Sequence, residues 1–440
     1  MLRFGHAACM GTLLLSLLGV GRADTQPPRC AASPLGPAEV VQCALAQSLE
    51  VRTEKQALKA LSGRRIAAGT LLPSNPTVAV SLAYRRPQEL TAETAEQTTF
   101  FNWYVTLSQE IEIAGQRGAR LDVADAAMAA QVRRVSVAQQ ESVAAMLSAY
   151  YNLLAAGEEL RLTEELAGVA DALSRLAVAR AQQALLSPVD ADVAQAEASR
   201  LGLVRIEARL RTSAARAALA ALLGAAPTVP VEVSGDLEPD PRVTPEPAGD
   251  LDALVQRALT LRGELQAAAM ERLMSEHQVR VLRRVRVPNL TLSAFAQRDG
   301  LNEQVFGGGV SIPLPLPAPL GPSRHGEIAE ALARGAQAET EIERVRRRVQ
   351  REVMQAFQAH QAQTEALRLI PTELVQRARA DVRAIAQAVT TRQLPLREAL
   401  LSQRSLIELL QAHIKIRHEL ALARVELLRA TGLLVQGERP

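Results

Sequence analysis

Two periodicities share this chain, and they meet in the stretch Trp103–Leu121. Trp103, Val105, Leu107, Ile111 and Ile113 alternate with Tyr104, Thr106, Ser108, Glu110 and Glu112, the period of two expected of a strand with one apolar and one polar face. Beyond Gly115 and Gly118 the apolar positions fall three and four apart, at Leu121, Ala124, Met128, Val132 and Val135, which is a helical stripe. A strand is therefore predicted to run directly into a long helix.

The same succession of patterns occurs twice. In the first copy, residues 38–69 read as a helix, residues 77–85 and 100–113 as strands, and residues 116–185 as one helix without an internal Pro. Leu186-Ser187-Pro188 turns the chain into a return helix that closes at Gly224. In the second copy, residues 252–285 are helical, and VQRAL at 255–259 echoes VQCAL at 41–45, with Glu264 placed as Glu50 is. Strands follow at about 289–297 and 305–316, where Pro313 and Pro315 must end the second one or leave it unpaired. Gly321-Pro322-Ser323-Arg324 stands as the counterpart of Gly115–Arg117. A helix from 327 to 389, kinked at Pro371, then leads to Gln393-Leu394-Pro395 and a last helix closed by Gly432. The predicted organisation is a signal peptide (1–23), an N-terminal tail (24–37), repeat 1 (38–225), a Pro-rich linker (226–249), repeat 2 (250–434) and a C-terminal tail (435–440).

Four strands with a greasy and a wet face do not belong in a soluble coiled coil. They are also too few to close a membrane barrel, whose smallest form has about eight. A barrel built from this chain must be shared between copies. Seven of the eleven aromatic residues, Tyr84, Phe100, Phe101, Trp103, Tyr104, Phe295 and Phe306, lie in or beside the strands, where an interfacial girdle would put them; a small buried sandwich would also use them. Gln109, Glu110 and Glu112 either line a lumen or sit just below the lipid edge.

Composition narrows the picture. Across 440 residues, 50 basic and 47 acidic side chains are interleaved to a net charge of +3, which leaves no basic face for nucleic acid. Arg3, the apolar run Ala7–Val20 and Gly21-Arg22-Ala23 predict a cleaved secretory signal, the alternative being a membrane anchor. In an oxidising compartment Cys30 and Cys43 either form a disulfide, tying the tail to the first helix, or stay separate buried thiols. No phosphate loop, Gly-x-Ser-x-Gly or His-Glu-x-x-His motif occurs. His413 and His418 are five apart, off the spacing that aligns two ligands on a helix, so no enzyme activity, cofactor or metal site is expected.

The doubled order, the junction QEIEIAGQRGARL, the second-half VSIPLPL and the Pro-containing turns resemble the outer-membrane efflux channel family typified by TolC. The junction is most similar to its heavy-metal cation (cobalt-zinc-cadmium resistance type) subgroup, whose members carry a glycine-lysine-arginine version. The resemblance implies a membrane α+β fold: a homotrimer in which four strands per chain close a twelve-stranded β-barrel in the outer-membrane lipid, continued by a long helical coiled-coil barrel into the periplasm of a Gram-negative cell. It further implies a passive exit duct of a tripartite efflux pump, carrying heavy-metal cations or small toxic compounds, with a periplasmic adaptor protein and an inner-membrane efflux pump as partners. The helix-turn-helix tips that would contact the adaptor and form the gate carry Arg180, Leu185, Ser187, Asp190 and Asp192 in the first half. In the second half they carry Arg392, Leu394, Arg397 and Glu398. Two other readings are a soluble periplasmic coiled-coil scaffold or adaptor and the exit channel of a one-step protein secretion system.

Overall fold

The computed structural model describes residues 30, 34–84, 101–226, 230–246, 248–298, 303–316, 323–391 and 393–435. The expected signal peptide, Phe100 and Arg392 lie outside the described residues. In chain order the elements are α1 (Pro37–Gln47), α2 (Leu49–Ala68), β1 (Thr77–Tyr84), β2 (Phe101–Ile111), α3 (Gln116–Gln182) and α4 (Pro188–Leu222). The second half supplies α5 (Leu251–Leu261), α6 (Gly263–Val285), β3 (Leu290–Arg298), β4 (Gln304–Ser311), α7 (His325–Arg368), α8 (Thr372–Thr390) and α9 (Leu396–Thr431). With 67 residues, α3 is about 100 Å long at a rise of 1.5 Å per residue.

The repeat holds down to single dihedrals. Both long helices start from a left-handed residue, Gly115 at φ 71° and Arg324 at φ 57°, so Arg324 itself is the structural equivalent of Gly115. Both return helices end on left-handed glycines, Gly224 and Gly432. Past these, Ala225 and Leu433 donate back five residues to Ala220 and Leu428 and satisfy the last carbonyls.

The first helix of each half is broken in two, where the apolar stripe predicts one helix. The breaks fall at equivalent positions, Ser48 and Arg262, and both side chains are buried. Ser48 Oγ caps α2 by accepting from the Val51 amide, donates to Glu50, and lies 2.7 Å from Ser142 Oγ. Arg262 fills the same corner with a guanidinium paired to Glu264 and Glu352. At Pro371 the helix stops and a new one begins, a full break in place of a kink, because Pro371 takes up extended backbone ahead of α8.

The Pro-rich segment after α4 is woven into the helical body. Leu35 and Val233 form a parallel bridge, Tyr150 Oη donates to the Ser234 carbonyl, Arg417 pairs with Asp236, and Val231, Leu237 and Thr244 are buried. The largest core surrounds Tyr150 and Tyr151 on α3 and joins α1, α4, α8 and α9. Cys30 and Cys43 are disulfide-bonded at its edge.

The candidate functional site: sheet, seam and tips

The four strands form one antiparallel sheet in the order β1-β2-β3-β4, with β1 and β4 as edges. Directly opposed residues share a face. The register therefore gathers Val78, Val80, Leu82, Val105, Leu107, Leu292 and Val310 onto one side of all four strands. These residues are largely exposed, Val80 at 61% and Val310 at 65%. The other side carries Ser81, Asn102, Thr106, Ser108, Ser293 and Gln297. A sheet with a continuous apolar face and two open edges is unstable alone in water and impossible alone in lipid.

The same register divides the aromatic residues expected to form a girdle. Tyr84, Phe101, Trp103 and Phe306 lie on the apolar face, in the half of the sheet away from the helices, which is the face an interfacial girdle needs. Tyr104 and Phe295 lie on the polar face and are no part of it. Each sits one residue out of phase with the apolar set, and successive strand residues point to opposite sides.

At the other end a polar seam joins sheet to helices. Gln116, buried at the start of α3, accepts from the Ala114 amide and donates to the Val287 carbonyl and Asn289 Oδ1; Asn289 in turn donates to Glu110 at 2.7 Å. Gln109 stands on the apolar side, and its amide turns back to the carbonyls of Ser74 and Glu110. Glu112 has left the strand and pairs with Arg120. The apolar face thus ends near Gln109, and the network ties the first half of the chain to the second at that level.

About 100 Å away, the turns after α3 and α8 lie side by side. Leu173 and Ala177 of α3, Ala191 and Ala194 of α4, Ile385 and Val389 of α8, and Leu396 and Ala399 of α9 share a small separate core. Arg180 Nη2 donates to the Val389 carbonyl at 3.1 Å, joining one turn to the other. Both turns use the same five-residue closure, Leu185 N to Arg180 O and Gln393 N to Ala388 O. Of the residues expected at the tips, Leu185, Ser187, Asp192, Arg397 and Glu398 are exposed, while Arg180 and Asp190 are half-buried. Leu394 is half-buried too, packed against the tip core.

No group of three or more potential metal ligands occurs among the described residues. His413 is buried in the helical body and His418 lies 2.7 Å from Asn152 Oδ1; burial pushes both imidazoles below their ordinary range, which keeps them neutral.

One four-stranded sheet and two long helical hairpins, one hairpin from each half of the chain, give the chain the fold of solved TolC-like outer-membrane channels. The family model described as outer membrane efflux protein matches residues 40–225. Among characterised relatives, the chain is 30% identical over 208 residues to the cobalt-zinc-cadmium resistance protein CzcC of Cupriavidus metallidurans, covering 47% of this chain and 48% of that protein. It is 29% identical over 300 residues to protein CyaE of Bordetella pertussis, covering 67% of this chain and 62% of that one. The alignments thus span about half and about three fifths of those relatives. The fold is that of the CmeC outer membrane channel of Campylobacter jejuni, with a TM-score of 0.72 over 90% of this chain and 85% of that one, at 15% identity.

Proposed function

We propose that the protein is a passive exit duct of the outer membrane, a channel and not an enzyme, with three copies closing a twelve-stranded barrel around one lumen. The observation that carries this reading is the apolar face that crosses all four strands between the level of Gln109 and that of Arg298 and Gln304, with the sheet's two edges unpaired. Lipid satisfies the face, and sister sheets satisfy the edges. Among the described residues no helix is long and apolar enough to cross a membrane, which leaves the sheet as the membrane element.

The helical part also calls for sister copies. Along α4, Val189, Val193, Leu203, Ile206 and Leu210 are exposed, Leu203 at 64% and Leu210 at 71%, spaced as one helical stripe with no cover inside the chain. A neighbouring copy in a helical tube would bury that stripe. The paired tips, with Leu185, Ser187 and Arg397 exposed, are the surface offered to a periplasmic adaptor and, through it, to an inner-membrane pump. The similarity to a cobalt-zinc-cadmium resistance protein favours heavy-metal cations as cargo, with small toxic compounds as the alternative.

Conductance in planar bilayers tests the reading. Purified protein should insert and give stable channels, whereas protein that leaves the bilayer non-conducting would overturn it.

A further inference from the structure

The polar face of the sheet is not uniform. At its paired positions it carries mostly small or uncharged side chains, among them Ala79, Ser81, Thr106 and Ser293, and Glu110 is the one charged residue among them in the described strands. Against that background stand the rings of Tyr104 and Phe295, with centroids 5.5 Å apart and planes tilted by 36°. Phe295 leans across onto β4, where its far edge occupies the space above Gly307; a Cβ there would meet the ring at 2.5 Å. Glycine inside a strand costs stability and marks a close approach. Gly307 is what lets the Phe295 ring lie over the strand instead of standing upright.

We infer that Tyr104 and Phe295 form a lumenal platform that binds organic cations, quaternary ammonium groups above all. The inference rests on the closed-barrel reading, which makes the polar face the lumen wall and repeats the platform once per chain around it. Two adjacent rings, Tyr104 exposed and Phe295 half-buried, with no Lys or Arg on that face of the described strands, attract a cation through the ring quadrupole. Glu110, about 20 Å further down β2, supplies a negative charge on the same face, and none of the opposite sign stands there among the described strand residues. A hydrated metal ion keeps its water shell and gains little from a ring face, whereas a quaternary ammonium is weakly hydrated and gains more. The platform therefore selects bulky organic cations from the passing solution, and a cation held there hinders the small ions that follow it.

The test is block of single channels in planar bilayers by tetraethylammonium, with potassium chloride carrying the current. Wild-type channels should show concentration-dependent block. The F295L and Y104L variants should keep the same potassium chloride conductance and need about tenfold more tetraethylammonium, while Y104F should behave as wild type. G307A should weaken block as well, by lifting the Phe295 ring. Channels that conduct but are not blocked, or F295L channels blocked as readily as wild type, would overturn the inference and leave the barrel reading intact. Failure to form channels at all would overturn both.

Discussion

Arg284, in the last turn of α6, donates through Nη1 to the carbonyl oxygens of both Ala114 and Gly115, at 3.0 and 3.1 Å. The guanidinium of one repeat thus grips the bend at which the other repeat turns from strand into helix. Gly115 is left-handed there, and a Cβ on it would collide with Arg284 Nη1. The G115A variant should therefore lose about 1–2 kcal/mol from backbone strain alone, and more from the displaced clamp. Thermal unfolding of the purified assembly checks this; an unchanged midpoint would remove the bend from the account.

Arg262 sets the stability of the helical body. It is buried between Glu264 and Glu352, and Arg429 joins the same group through Glu352, Glu141 and Glu426. Burial pushes the Glu264 carboxyl up, and the hydrogen bond and charge of Arg262 outweigh it, so the carboxyl lies below its ordinary range. A depressed carboxylate contributes stability that is full above the unfolded value of about 4.3 and is lost as the pH falls through the folded value. The R262M variant should be less stable than wild type by about 3 kcal/mol at pH 7, because Glu264 is stranded and Glu352 keeps only its longer contacts to Arg429 and Arg348. Below about pH 4 the gap should narrow as protonation neutralises them. Urea titrations at pH 7 and pH 4 measure both.

The Cys30–Cys43 bond fastens the N-terminal segment beside the point where Leu35 pairs with Val233. Cross-links over short loops of this kind stabilise by about 2–4 kcal/mol. Reduction, or the C43S substitution, should lower the unfolding midpoint and make the segment around Leu35 accessible to protease. Native protein should give no thiol signal from these residues until it is reduced.

At the tips, exposed and packed residues should separate in their effects. Leu185 and Ser187 are exposed, so L185D and S187R should change stability by no more than about 0.5 kcal/mol yet abolish cross-linking to the adaptor and efflux in cells. Leu394 packs on the tip core, so L394D should also lower the unfolding temperature. Stable variants with undiminished cross-linking would move the docking surface elsewhere.

The switch from period two to period 3.6 and its recurrence were legible in the chain, because a sheet with two environments and a long helix each write their own spacing. The breaks at Ser48 and Arg262 were not: the apolar stripe runs through both, and their cause is a buried corner formed by distant partners, Ser142 and Glu352. The segment after α4 reads as a loose linker from its prolines, and only the tertiary contacts of Leu35, Tyr150 and Arg417 reveal it as packed. Counting rings by type placed Tyr104 and Phe295 with the girdle, whereas their phase along the strands already assigned them to the other face. The pairing of the two tips through Arg180 and Val389 joins residues 209 apart in sequence and leaves no local signal.

The central claim, that one chain supplies a third of a membrane barrel, is tested most directly by electron microscopy of the protein purified in detergent from outer membranes. The account predicts three-fold particles in which a twelve-stranded barrel passes into a helical tube at the level of Gly115 and Arg324. A monomer recovered from the soluble periplasmic fraction would contradict it.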